Sequence, residues 1–221
     1  WPKEPEPTGG TAKKIFDLEG RKASHWAWKP VLEPIIPRVK DETWSKLSID
    51  RFILARLEKS GLKPAGSTDR RTLIRRVTYD LRGMPPTPEE VNTFVEDGSA
   101  NAFEKVVDRL LDSSEYGEKW ARHWMDLFRY AESRGHEFDA STPNAFRYRD
   151  YLIRALNADV PYDEFVTEHV AGDLLDKPRL NPDTGSNESI QATGFWFLGE
   201  WIHSPVDTRQ DEADRFDNMI G

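Results

Sequence analysis

Residues 115–151 read EYGEKWARHWMDLFRYAESRGHEFDASTPNAFRYRDY, the part of the 221-residue chain densest in aromatic and ionisable side chains. Trp120, Trp124, Leu127, Phe128 and Ala131 recur at helical spacing, which predicts a helix over roughly 116–131 with that face deeply buried. A polar loop follows, Glu132 to Ser141, holding Glu132, His136, Glu137 and Asp139. Thr142-Pro143 then predicts the start of a second helix, a capping side chain followed by proline at the first helical position. That helix brings Arg147, Arg149 and Asp150 back near the loop. A site, if the chain has one, is expected at this bend.

Working outward, the same periodicity predicts further helices on both sides. Ser48 caps one that runs to about Ser60, with Ile49, Phe52, Ile53 and Leu57 inward and Gly61 as its stop. A second begins near Thr68 or Asp69 and ends at Gly83, with Leu73, Val77 and Leu81 on its buried stripe. Thr87, Pro88 and Glu90 form a capping box that opens a third. Asn101 begins another, in which Phe103, Val106, Val107, Leu110 and Leu111 fit one helical face. After the central pair, Pro161 opens a shorter helix with Phe165, Val166 and Val170 inward. Residues 173–190 are polar and turn-rich, and ATGFWFLGEW at 192–201 reads as a short strand or a buried loop.

The ends are less regular. Residues 1–24 read as a linker or arm, rich in proline, glycine and charge. HWAWKPVLEPIIPRV at 25–39 carries too many prolines for a regular helix and suits an extended strap across a core, anchored by Trp26 and Trp28. Residues 201–221 form a charged tail. The expected architecture is all-α, an irregular bundle of six or seven helices over 25–200 with a proline-rich N-terminal arm and an irregular C-terminal segment.

Composition narrows the function. A net charge of −8 argues against nucleic acid as a main partner, since phosphate binding needs a concentrated basic surface. No apolar run reaches the roughly 18 residues of a membrane span. There is no cysteine, which removes thiol nucleophiles, thiolate metal sites and disulfides together. The chain begins at Trp1 rather than methionine and is expected to be a fragment or a processed product.

Several blocks together resemble a known family. HWAWKPV, SIDRFILARLEKSGLKPA, DRRTLIRRVTYDLRGMPPTPEEV, YGEKWARHWMDLFRYAES, PNAFRYRDYLIRALNADVPYDEFV and AGDLL are similar to domain of unknown function 1549, found in the cytochrome-c-associated multidomain proteins of planctomycetes and related bacteria. The resemblance spans roughly residues 25–200. It implies an exported, periplasmic or secreted parent in which this domain neighbours a cytochrome-c-like domain and a further C-terminal domain. It also implies a haem-type Cys-x-x-Cys-His motif shortly beyond this chain. With no cysteine, these 221 residues carry no covalent haem themselves, so haem c is expected elsewhere in the parent.

The chemistry the residues offer leaves two readings open. Glu132, His136, Glu137 and Asp139 are ligand types suited to calcium or a borderline divalent ion, although their spacing matches no specific motif. Glu132, Glu137, Asp139 and Asp150 include candidate carboxylate pairs for glycoside hydrolysis, with aromatic rings nearby to stack on sugars. Arg147 and Arg149 suit an anionic group, or pair with Asp150, Glu132 or Asp126. NPDTGSNE at 181–188 reads as a turn, not a calcium loop. One reading is a helical module that scaffolds, or binds a ligand for, neighbouring redox domains. The other is part of an enzyme on carbohydrate-type substrates, its site in the 132–150 region.

Overall fold

The structure is a computed structural model that describes residues 17–44, 47–135, 139–199 and 206–220, with 218–220 described through their backbone alone. The described residues are helical and include no sheet strand. They fall into two compact units, one ending at Gly66 and the other beginning at Ser67. No described helix is long and apolar enough to cross a membrane.

The N-terminal unit holds α1 (Leu18–Ser24) and α2 (Ser48–Lys59). Its α1 lies inside the stretch read as an arm, and Asp17 caps it by accepting the Gly20 N–H. A short 3-10 turn, Trp26–Trp28, leads into extended backbone, so the prolines keep the strap out of a regular helix as expected. The tryptophans do not anchor it: Trp26 and Trp28 are 79% and 68% exposed. In α2 the buried side chain is Leu54, while Ile49, Phe52 and Ile53 are exposed. Ser48 is the first helical residue rather than the cap; Leu47 holds the cap position and offers no side-chain bond.

Among the described residues the second unit runs through eight more helices, α3 (Arg70–Arg82), α4 (Pro88–Glu96), α5 (Ala102–Leu111), α6 (Ser114–Leu127), α7 (Ala145–Asn157), α8 (Tyr162–Ala171), α9 (Glu188–Ala192) and α10 (Thr208–Ile220). Local chemistry sets the first boundaries. Asp69 accepts the Thr72 N–H, and Gly83 ends α3 at φ 74, a conformation that favours glycine. The capping box at α4 forms with both of its hydrogen bonds. Glu90, its second member, also receives Arg82 of α3 at 3.0 Å and Arg109 of α5. One carboxylate thereby ties three helices. Beneath it Ile74, Phe94, Ala102, Val106 and Leu110 make an apolar core, with Leu73, Val77, Leu81 and Val91 packed around it. Phe103 and Leu111, expected inward, face outward.

The larger core joins α6, α7, α8 and α9 around Ala121, Tyr148, Tyr151, Leu152, Ala155, Phe165 and Ala192. Helices α6 and α7 are antiparallel neighbours, because Gly117 near the start of α6 meets Asn157 at the end of α7. The face that α6 buries overlaps the expected one only at Trp124 and Phe128. Gly117 and Ala121 are buried, Trp124, Met125 and Phe128 pack against the core, and Trp120, Leu127 and Ala131 are exposed. Small residues win because α7 comes too close for anything larger. A Cβ on Gly117 would fall on the Ile153 carbonyl oxygen and the Asn157 carboxamide, which itself accepts the Gly117 N–H at 2.7 Å.

Other boundaries also depart from expectation. The second central helix begins at Ala145, not Thr142, after a turn in which Asn144 takes the left-handed conformation at φ 69. The apolar stretch after α9 is neither strand nor loop but a 3-10 segment, Thr193–Phe197. The charged C-terminal stretch becomes helical from Thr208.

Gly117→Val is expected to lower stability by about 1–3 kcal/mol through overpacking at the α6–α7 contact, measured by urea unfolding. Gly98→Ala, where an added Cβ meets open space, should leave the midpoint nearly unchanged.

Candidate functional site

The bend between α6 and α7 is a small, internally bonded loop. Ser133 and Ser141 form an antiparallel bridge, with Arg134 N–H donating to Ala140 O and Thr142 N–H to Glu132 O, both at 2.8 Å. Three non-glycine residues near it hold positive φ: Arg129 at 51, Asp139 at 37 and Asn144 at 69. Such backbone persists only where surrounding contacts over-determine it. Asp139 supplies one of them, its Oδ1 accepting the Gly135 N–H at 3.0 Å.

The expected site residues divide accordingly. His136 and Glu137 lie outside the described residues. Glu132 accepts Tyr130 O–H at 3.0 Å and Arg149 at 2.7 Å, and Arg149 also pairs with Asp150 at 3.0 Å. The hydrogen-bonded Asp150 carboxylate, with smaller contributions from Tyr130 and Glu132, holds the Arg149 guanidinium above its usual range. Arg147 is exposed and joins no ion pair among the described residues. Glu132, Arg149 and Asp150 therefore form one partly exposed ion cluster at the mouth of α7. Among the described residues no group of three histidine or carboxylate side chains converges as a metal site would require. The 181–188 stretch is a turn: Asn181 accepts the N–H groups of Asp183 and Thr184. His123 is exposed, its Nε2 2.9 Å from Lys119 Nζ.

Tyr130 connects the loop to the interior. Burial, and then the Glu132 carboxylate, push its phenol up to about 12, so it stays protonated and keeps donating. Its ring stacks on Tyr148 at 6.5 Å, and the Tyr148 hydroxyl lies 3.1 Å from Nε2 of His169. His169 is buried on α8, where Val170 was expected inward and instead is exposed. Its protonation follows from its partners. Nδ1 faces the Phe165 carbonyl oxygen at 2.7 Å and must donate. Nε2 faces the Trp124 indole N–H at 3.1 Å and must accept. Burial also holds this imidazole below its usual range, so it is neutral. Rings of Trp124, Phe128, Tyr148, Tyr151, Phe165 and Phe195 surround it, centroids 4.4–5.9 Å away.

Two carboxylates lie buried alongside. Glu168 Oε1 accepts Ser189 Oγ at 2.7 Å and Arg179 Nε at 3.1 Å; Oε2 accepts Tyr151 O–H at 2.6 Å and Arg179 Nη2 at 2.9 Å. Burial opposes its ionisation, but the bonds from Arg179, Tyr151 and Ser189 outweigh that and hold it below the usual glutamate value. Glu188 Oε1 accepts Asn181 Nδ2 at 2.7 Å and Arg154 Nε at 3.0 Å, and its Oε2 accepts Arg154 Nη2 at 3.0 Å. Sequence reading passed over all of these. Glu168 and His169 sit at i, i+1 beside the apolar Phe165, and Arg179, Asn181 and Glu188 fall in a stretch that looks merely polar. The available signal was the i, i+3, i+4 spacing of Phe165, Glu168 and His169, which puts all three on one helical face.

Fold and site together describe an all-α protein whose buried polar groups brace its central helices. Residues 48–221 match the model of the family described as PSCyt2, protein of unknown function (DUF1549), and the chain belongs to that family. No curated protein and no solved structure matches it.

Arg179→Ala leaves the Glu168 carboxylate buried without its cation and is expected to remove at least about 3 kcal/mol at neutral pH, read by urea unfolding. Because the folded pKa of Glu168 is depressed, its contribution is present above the ordinary value of 4.5 and fades as pH falls through the lower folded value. In Glu168→Gln the stability–pH curve should accordingly be flatter over that acidic window than in the unsubstituted protein.

Proposed function

We propose that this chain is a non-catalytic helical module which fixes the relative placement of neighbouring domains in an extracytoplasmic, cytochrome-associated parent protein. One observation carries the reading: each oxygen of the two most deeply buried carboxylates, Glu168 and Glu188, already accepts two protein donors. A carboxylate that works on a substrate needs a lone pair or a proton available to it. These have neither to give, and what they do instead is lock α7, α8, α9 and the connecting segment together. His169 is held the same way, both ring nitrogens engaged. The surface cluster of Glu132, Arg149 and Asp150 is paired internally and fastens the loop to α7.

A rigid body suits the transmission of geometry between domains. The haem expected of such a parent belongs to those neighbours, because the Cys-x-x-Cys-His mode of attachment needs thiols and this chain has none.

The test is made on the parent protein with its flanking domains in place. A placing module predicts a single narrow distribution of interdomain distances in small-angle X-ray scattering, broadened by Arg179→Ala and unchanged by Glu132→Ala combined with Asp150→Ala. A broad distribution insensitive to Arg179, or loss of turnover on a polysaccharide in the Glu132/Asp150 variant, would overturn it.

A further inference from the structure

The N-terminal unit contains a concavity of about 550 Å³ between the 40–44 turn and the end of α2, within the size range of small-molecule sites. Both walls are fixed by hydrogen bonds before anything enters. On one side Glu58 reaches out of α2 and accepts the backbone N–H groups of Lys40, at 2.8 and 3.1 Å, and of Asp41, at 3.3 Å. Asp41 Oδ1 in turn accepts Thr43 N–H at 3.0 Å, Thr43 O–H at 2.7 Å and Trp44 N–H at 3.2 Å, setting the direction in which the indole leaves the chain. On the other side the helix exit is tied by Gly61 N–H to Glu58 O and Leu62 N–H to Leu57 O, with Gly61 at φ 68.

The lining carries two carboxylates and two ammonium groups, and they differ in what they are bound to. Glu58 is engaged through both oxygens and Asp41 through one, each holding backbone in place. Lys40 and Lys63 line the same concavity, are exposed, and join no ion pair among the described residues. The rest of the lining is apolar. Leu54 is buried at the floor, while Trp44, Leu62 and Pro64 retain exposed surface at the sides. An indole and two aliphatic side chains left partly wet, with two ammonium groups on long stems beside them, match a ligand that is apolar at one end and anionic at the other.

We infer that this concavity binds a small amphipathic carboxylate, its ring or alkyl body against Trp44, Leu54 and Leu62 and its carboxylate between the Lys40 and Lys63 ammonium groups. The inference is independent of the domain-placing reading, which concerns the second unit. It needs neither metal nor covalent step.

Isothermal titration of the whole chain with phenylpropionate tests it, with phenylpropanol and acetate as the probes that lack the charge or the body. Saturable single-site binding of phenylpropionate is expected, at least about tenfold tighter than either comparison probe, an energy difference ordinary for one ion pair plus ring burial. Lys40→Met combined with Lys63→Met should weaken phenylpropionate about tenfold while leaving phenylpropanol unchanged; Trp44→Ala should weaken both. Circular dichroism checks that each variant remains helical, and the lysine pair, lying at the surface, serves if Trp44→Ala unfolds. Absence of saturable binding, equal affinity for acid and alcohol, or indifference to the lysine pair would each overturn the proposal.

Discussion

The carboxylate of Glu168 is the point at which the larger core is held in register. It comes from the middle of α8 and meets Tyr151 from α7, Arg179 from the segment after α8, and Ser189 from α9. A buried charge of this kind has a large desolvation penalty, and only the cation and four correctly aimed hydrogen bonds offset it. That makes the arrangement restrictive rather than merely stabilising. Apolar contacts between the same helices would tolerate a slide of an ångström or more, whereas each of these bonds fails over much less. Glu188 repeats the device one residue before Ser189, joining α9 to Arg154 of α7 and to Asn181. Ser189 and Glu188 face different partners from adjacent positions, so the short α9 is gripped from two sides.

His169 extends the same logic into the aromatic core. Replacing it by an apolar residue would remove the shared partner of the Trp124 N–H and the Tyr148 O–H together. Because Tyr148 also stacks beneath Tyr130, and Tyr130 carries the hydrogen bond to Glu132, the loop between α6 and α7 inherits its position from the buried network. The positive φ angles at Arg129, Asp139 and Asn144 are the local strain that this anchoring allows.

How much of this was legible follows from the range over which each signal acts. Helix class, the capping box at Thr87 and Glu90, and the stop at Gly83 are written within a few residues and were read correctly. The buried face of α6 was read only in part, at Trp124 and Phe128, because hydrophobicity also favours Trp120 and Leu127 while the decisive quantity is the room left by α7, which selects Gly117 and Ala121. The start of α7 was misplaced for a similar reason. Thr142-Pro143 is a good local start signal, but the bridge between Ser133 and Ser141 and the left-handed Asn144 take those residues into the turn first. The buried ion pairs join residues 11 and 34 positions apart, and no short-range pattern marks such partners. Acidic residues in an exposed loop drew attention as a site; acidic residues beside core aromatics, far rarer as solvated groups, were the more informative ones.

The two units differ in where free energy of binding is still available. In the second, the buried carboxylates Glu168 and Glu188 and the His169 ring are fully hydrogen-bonded and two apolar cores are packed, so little is gained by adding a ligand at those groups. Before Gly66, Leu54 is the one buried side chain described, and Trp26, Trp28, Val31, Leu32, Ile35, Ile49 and Phe52 all present large apolar surface to solvent. Isolated exposed residues of this kind are ordinary, but one buried side chain among the described residues of this unit contributes little ordering by burial. The 40–44 turn is ordered by polar fastening, Glu58 to the 40–41 backbone and Asp41 to Thr43 and Trp44. Polar bonds shape the surface while leaving its hydrophobic contribution unrealised, and that contribution is gained when something apolar is placed against it. A bonded interior in the second unit suits holding geometry, and the wet apolar wall beside the 40–44 turn suits taking hold of something else.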